Sequence, residues 1–216
     1  MSSSLYDKDM VWPETVIVGN GDFPSSGIPL GILRRARYVC CCDGAVEQVV
    51  SHGIIPDAIA GDGDSLSAEM RERFNGIIHL FDEQDDNDQT KATRFCAANE
   101  IRSIAYIGST GRREDHTLGN ISLLTRYMSE FGIEPVMVTD YGYFVPARGC
   151  MEFQSFRGQQ VSVFNFGTKD MSSTGLKWDV YPFSSWWQGT LNEALGDSFT
   201  ICSDGDYIVF RTFEGK

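Results

Sequence analysis

Residues 103–130 read SIAYIGSTGRREDHTLGNISLLTRYMSE, and the fold class turns on them. The run 104–107 is apolar and of strand length, and GSTG (108–111) breaks it. From 115 to about 130, Leu118, Ile121, Leu124 and Met128 recur at helical spacing, with Leu123 beside them. Strand, small-residue loop and amphipathic helix make one βα unit. The alternation repeats outward. Strands are predicted at 15–19, 38–42, 58–60, 77–81 and 136–139, and a second helix over 88–100, with Ala92, Phe95, Cys96 and Ala98 or Asn99 on its core face. Such alternation implies a mostly parallel sheet with helices on its faces.

Beyond residue 140 helical periodicity disappears. Short apolar runs at 151–156, 161–166, 199–202 and 207–213, divided by Gly, Ser and Asp, read as antiparallel β structure. Three of the four tryptophans fall here, so a boundary is placed near 145, giving an α/β domain over 1–145 and a β domain over 146–216.

The composition is that of a globular chain of 216 residues, with 42% apolar and 22% charged residues. A net charge of −12 argues against nucleic-acid and anionic-membrane partners. No apolar window is long enough for a transmembrane helix, and the first residues lack a secretory pattern. The six cysteines show no zinc spacing and are expected to be buried free thiols in a reducing cytoplasm. Ser2–Ser4 is the one low-complexity tract.

Acidic residues share one structural address. Asp43, the pair Asp62 and Asp64, the run 82–88 and Asp115 each follow a predicted strand. Ligands of open parallel sheets bind at the carboxyl ends of strands. Taken singly, Asp43, Asp88 and Asp115 are equally turn residues or helix N-caps. Taken together they imply a cation, because two carboxylates about 5 Å apart repel by roughly 3 kcal/mol at an effective dielectric near 20. An oxygen donor set suits Mg²⁺, which commonly bridges carboxylates to phosphates. GSTGRR enters a helix N-terminus, where anions are favoured, and Arg113 and Lys91 are candidate phosphate partners. Lys91 is equally read as a solvated partner of Asp88.

The blocks GDGDS (61–65), EQDDND (83–88) followed by Lys91, GRREDHTLGN (111–120) and STGLKW (173–178) stand in the order of the thiamin pyrophosphokinase family, which the chain resembles from about 17 to 192. The resemblance implies an N-terminal α/β domain and a C-terminal antiparallel β-sandwich that binds thiamin. It also implies a homodimer with sites at the subunit interface. The implied reaction is ATP + thiamin → AMP + thiamin diphosphate with Mg²⁺. It assigns Asp43, Asp62, Asp64 and Asp88 to the metal and catalysis, with Asp115 as a further catalytic residue. Ser65, Gln84, Lys91 and Arg113 go to ATP and phosphates, and Trp178 and Asn192 to thiamin. The chain departs from the pattern at Ala45, Glu83, Asn87 and Gly189–Leu191. A pyrophosphokinase for another heterocyclic alcohol, such as a hydroxymethyl pterin, and a non-catalytic nucleotide or thiamin diphosphate sensor remain alternatives.

Overall fold

The computed structural model describes residues 11–215, so the Ser2–Ser4 tract lies outside the described residues. The chain forms two compact units. One is Val11–Asp140 and the other takes in the chain from Tyr141.

In the first unit, β1 (Thr15–Val18), α1 (Gly27–Arg35), β2 (Tyr38–Cys42), α2 (Ala45–Ser51), β3 (Ala58–Gly61), α3 (Ala68–Arg73) and β4 (Ile78–Leu80) alternate. Then come α4 (Asp88–Ala98), β5 (Ser103–Ile107), α5 (Glu114–Phe131) and β6 (Glu134–Val138). All six strands pair in parallel, in the order β6-β5-β1-β2-β3-β4. Right-handed crossovers place α1–α3 on one face and α4 and α5, which return past β1, on the other. Accordingly α4 packs on β1–β3 and on α5. Residues 16–18, 40–42 and 104–107 are buried through, which explains their unbroken apolar character.

Two helix faces differ from expectation. On α5 the buried residues are Leu124 and Tyr127, while Leu118 is exposed. On α4 the buried set is Gln89, Thr90, Lys91, Ala92, Thr93 and Cys96, while Ala98 and Asn99 face solvent. The polar members of α4 are tolerated because partners meet them. Thr90 Oγ1 lies 2.8 Å from the Tyr127 hydroxyl, and Thr93 Oγ1 3.0 Å from that of Tyr106.

The second unit is an antiparallel sandwich. One sheet is ordered β11 (Asn192–Glu193), β9 (Gln159–Phe166), β13 (Asp206–Gly215), β7 (Gly142–Arg148). The other is β10 (Met171–Thr174), β12 (Ser198–Ser203), β8 (Met151–Gln154). Phe153, Val161, Val163, Leu176, Phe199, Ile201 and Val209 fill the space between them. The strands β7, β10 and β11 fall outside the predicted runs, and a cut at 145 would divide β7, which lies whole in this unit.

The cysteine expectation needs correction. Cys40, Cys41, Cys42 and Cys96 are buried free thiols, but Cys150 and Cys202 form a disulfide. Met151 of β8 pairs with Ile201 of β12, so the antiparallel register sets Cys150 opposite Cys202. A sequence separation of 52 hides that pairing.

Candidate active site

The chain steps outward from β1 to β4 and then returns to β5 on the other side of β1. This makes the β1/β5 boundary the topological switch point, where open α/β sheets leave a crevice. The two loops there are zipped together: Gly19 N donates to Ile107 O (2.8 Å) and Gly21 N to Gly108 O (2.7 Å). A Cβ on Gly21 would strike the Thr110 backbone, so glycine permits this approach. Beside it opens a cleft of about 700 Å³, lined by Asn20, Asp62, Gln84, Asp88, Lys91 and Arg112 among others.

Asp62 and Asp88 line it, and together with Asp43 each offers a carboxylate oxygen within 4.8 Å of the others. None of the three candidate capping aspartates caps a helix. Gly44 precedes α2, Arg113 precedes α5, and α4 is capped by Asn87, whose side chain accepts from Thr90 N at 2.9 Å. Asp88 is therefore left to face the cluster. Asp43 is 1% exposed; its Oδ2 accepts from Gly63 N at 2.6 Å, and its Oδ1 is buried without a partner. A side chain at Gly61 would collide with this carboxylate.

Burial, then the Asp88 charge, pushes the Asp43 carboxyl up to about 6 against the Gly63 donor. Asp88 is raised by burial and by Asp62, with Lys91 opposing. Asp62 is lowered, first by the Asp64 backbone N–H. Groups so close titrate as a set. Lys91 is not the solvated partner that spacing allowed. It is 2% exposed, with Nζ 3.7 Å from both Asp62 and Asp88.

Other expected residues stand apart from the cluster. Asp64 and Ser65 are exposed, and Asp64 gives its backbone N–H to Asp62. Arg113 and Asp115 form a solvent-facing pair (2.5 Å), of which Arg113 lines the cleft, as does His116. That pair, led by the Arg113 hydrogen bond, holds the Asp115 carboxyl down at about 2.

Sequence reading missed the residues that fix the acidic loop. Asp86 accepts from Arg126 of α5 (2.6 Å) and Arg94 of α4 (3.1 Å), and Arg94 also holds Glu83 (2.7 Å). Asn87 donates to Asn120, which donates to Ser109 O. Asn20 and Arg112 meet across the switch point at 2.9 Å. Asp86 lay in the marked acidic run, but no local pattern could name a partner 40 residues away.

The second unit carries a pocket of about 290 Å³ lined by Trp178, Tyr181, Phe183, Thr190, Leu191 and Asn192 among others. Trp178 is 52% exposed, and Lys177 Nζ lies 4.9 Å from its ring centroid. Buried Asn192 accepts from Trp178 N (3.2 Å) and donates to Trp178 O (2.8 Å), so it fixes the tryptophan's backbone.

Sequence profiles of two domains match this chain. The thiamin pyrophosphokinase catalytic domain covers residues 31–136, and the thiamin pyrophosphokinase substrate-binding domain covers 142–210. The chain belongs to the thiamin pyrophosphokinase family. Members of this family are enzymes, and so is this chain. The catalytic-domain match holds the Asp43–Asp62–Asp88 cluster, and the substrate-binding match holds Trp178 and Asn192.

Among relatives, the chain is 28% identical over 209 residues to thiamine pyrophosphokinase 1 of rice (Oryza sativa subsp. japonica), covering 81% of this chain and 78% of the relative. It is 30% identical over 116 residues to thiamin pyrophosphokinase 1 of Caenorhabditis elegans, covering 50% and 46%. The crystal structure of yeast thiamin pyrophosphokinase shares the fold with a TM-score of 0.77 at 18% identity, covering 97% of this chain and 89% of that one. The structure of thiamine pyrophosphokinase from Bacillus subtilis does so with a TM-score of 0.74 at 20% identity, covering 92% and 98%.

Proposed function

We propose that this chain transfers the diphosphate of ATP to the hydroxyl of thiamin, giving thiamin diphosphate and AMP, with Mg²⁺. The observation that carries the reading is the meeting of Asp43, Asp62 and Asp88 beside Lys91 at the switch-point cleft. The donor set fits the ion. It is all oxygen, and Asp43 Oδ1 is a buried acceptor with no donor. Asp43, Asp62 and Asp88 would hold the metal, with Asp64 adjoining through its N–H to Asp62. Bound there, Mg²⁺ supplies positive charge that offsets the charge on the transferring phosphates.

Lys91, Arg112 and Arg113 line the cleft and bind phosphate oxygens; Gln84 lines it as a polar contact, and Ser65 adjoins the loop after β3. The thiamin oxygen forms a bond to the β-phosphorus, the bridge between the α- and β-phosphates breaks, and AMP leaves. Asp88 and Asp115 are the carboxylates that could take the hydroxyl proton; Asp115 is engaged by Arg113, which leaves Asp88 to accept it. The indole of Trp178 offers a flat electron-rich face to the thiazolium cation, and Asn192 orients it.

Two copies complete the site in this reading, the cleft of one serving the aromatic pocket of the other. The support is that the acidic and basic groups lie in one unit and the aromatic pocket in the other. A half-buried row of Phe144, Phe164 and Phe210, with exposed Trp186 against Phe164, offers a surface on the second unit to bury.

We place the enzyme in the cytoplasm on its four buried free thiols; among the described residues no helix is long and apolar enough to cross a membrane. The Cys150–Cys202 bond does not follow from that placement.

Incubation with ATP, Mg²⁺ and either thiamin or a hydroxymethyl pterin, followed by AMP release, tests the function. Thiamin-dependent, Mg²⁺-dependent AMP supports it. Release with the pterin alone, or binding of nucleotide without AMP, overturns it.

A further inference from the structure

Lys91 stands in an unusual place for a phosphate ligand. It is almost fully buried, yet it lines the cleft, and its ammonium lies 3.7 Å from a carboxylate oxygen of each of Asp62 and Asp88. Three carboxylates converge here, and among the described residues no other cation pairs with any of them. A buried charge persists only where it is paired, so the lysine and the carboxylates stabilise one another. A divalent ion held by the cluster would draw on the same carboxylates. An ammonium left in place would then stand within a few ångströms of it and repel it. The lysine has a flexible four-carbon stem and three donors, and the cleft it lines is where phosphates would lie.

We propose that Lys91 is a two-position cation: it neutralises Asp62 and Asp88 before ligands bind, and moves onto the nucleotide's phosphates when the divalent ion takes those carboxylates. This deepens, and rests on, the reading of the cleft as a metal–nucleotide site. Metal alone is then disfavoured by the lysine already present. Metal arriving with nucleotide gives the displaced ammonium a new anionic partner, so the two ligands bind cooperatively. A lysine that only bound phosphate would not resist the metal, and one that only braced the fold would change neither affinity selectively.

Lys91→Met keeps the length of the side chain and removes its charge. Two calorimetric titrations separate the roles, one with Mg²⁺ alone and one with α,β-methylene-ATP at saturating Mg²⁺. That analogue blocks cleavage of the bridge in question. Expected for Lys91→Met is Mg²⁺ binding on the order of tenfold tighter, from loss of the like charge, and nucleotide binding on the order of tenfold weaker. Opposite signs are the signature. Circular dichroism checks folding, and Lys91→Gln is read in the same titrations should the methionine variant not fold.

If the wild type binds Mg²⁺ with the analogue but the variant shifts both affinities in the same direction, or leaves Mg²⁺ alone unchanged, the two-position role is overturned and the site reading stands. If the wild type binds no Mg²⁺–nucleotide at all, the site reading falls and takes this proposal with it.

Discussion

Asp43→Asn removes one negative charge from a place where the fold supplies no counter-charge. Lys91 pairs with Asp62 and Asp88 but not with Asp43, which is 1% exposed. The Gly63 N–H at 2.6 Å has an equivalent acceptor in the asparagine, and the new amide faces the two remaining carboxylates. The variant should therefore be the more stable protein once metal is chelated. Folding raises the carboxyl from 3.8 to about 6. A two-unit rise corresponds to about 3 kcal/mol. Because the cluster shares its protons, ~2 kcal/mol is the expected gain, or about 1 M in urea midpoint at a typical dependence of ~2 kcal/mol per M.

The sign with pH follows from the raised value. Below pH 4 the wild-type group is neutral in both states and the two proteins should match. Between pH 4 and 6 the wild type loses stability relative to the variant, and above 6 the full gap is present. Urea unfolding in chelator at pH 4 and 8, followed by circular dichroism, measures it, with AMP release expected to fall at least 100-fold. A variant less stable at pH 8, a gap independent of pH, or intact turnover would refute the reasoning.

Three further outcomes are expected. Asp140 accepts from Ser25 N, Ser26 N (both 3.0 Å) and the Ser25 hydroxyl at the start of α1, and these donors outweigh burial to hold its carboxyl below the usual range. Asp140→Ala should cost about 1–2 kcal/mol at pH 7, and because the folded value is depressed the difference should shrink only as pH falls below about 4; a constant gap in thermal melts down to pH 3 would count against it. Trp178→Ala should raise the KM for thiamin about tenfold, in line with a cation–π contact of ~1–2 kcal/mol, while leaving that for ATP unchanged; steady-state kinetics with each substrate varied would decide, and equal rises would sink the stacking role. Arg126→Ala frees one side of Asp86, whose side chain is 10% exposed, so kcat/KM should fall several-fold with partial recovery in Arg126→Lys; recovery absent in the lysine variant would mean that the ion pair does not position the loop.

Residues 103–130 fix a strand, a loop and a helix by local rules: an all-apolar run buried on both faces, glycines that turn the chain, and a 3.6-residue recurrence. The same rules located the other parallel strands within a residue or two, and set Asp43 and Asp62 directly after strands and Asp88 at the far end of the loop that follows β4. They failed where burial depends on a distant partner. The polar face of α4 is buried because Tyr127 and Tyr106 meet Thr90 and Thr93, and the bond between Cys150 and Cys202 exists because two strands come into register.

What the sequence by itself determined is the alternation of elements and the set of carboxylates beyond their carboxyl ends, since both follow from neighbours along the chain. Which of those carboxylates share a site was decided only by tertiary structure. Asp62 turns toward Asp43 and Asp88 while Asp64, two residues on, faces solvent, and Lys91 is enclosed rather than exposed. That sorting is made by the order of strands in the sheet and by the capping of α4 at Asn87. It depends on distances between loops that lie tens of residues apart, which no spacing along the chain encodes.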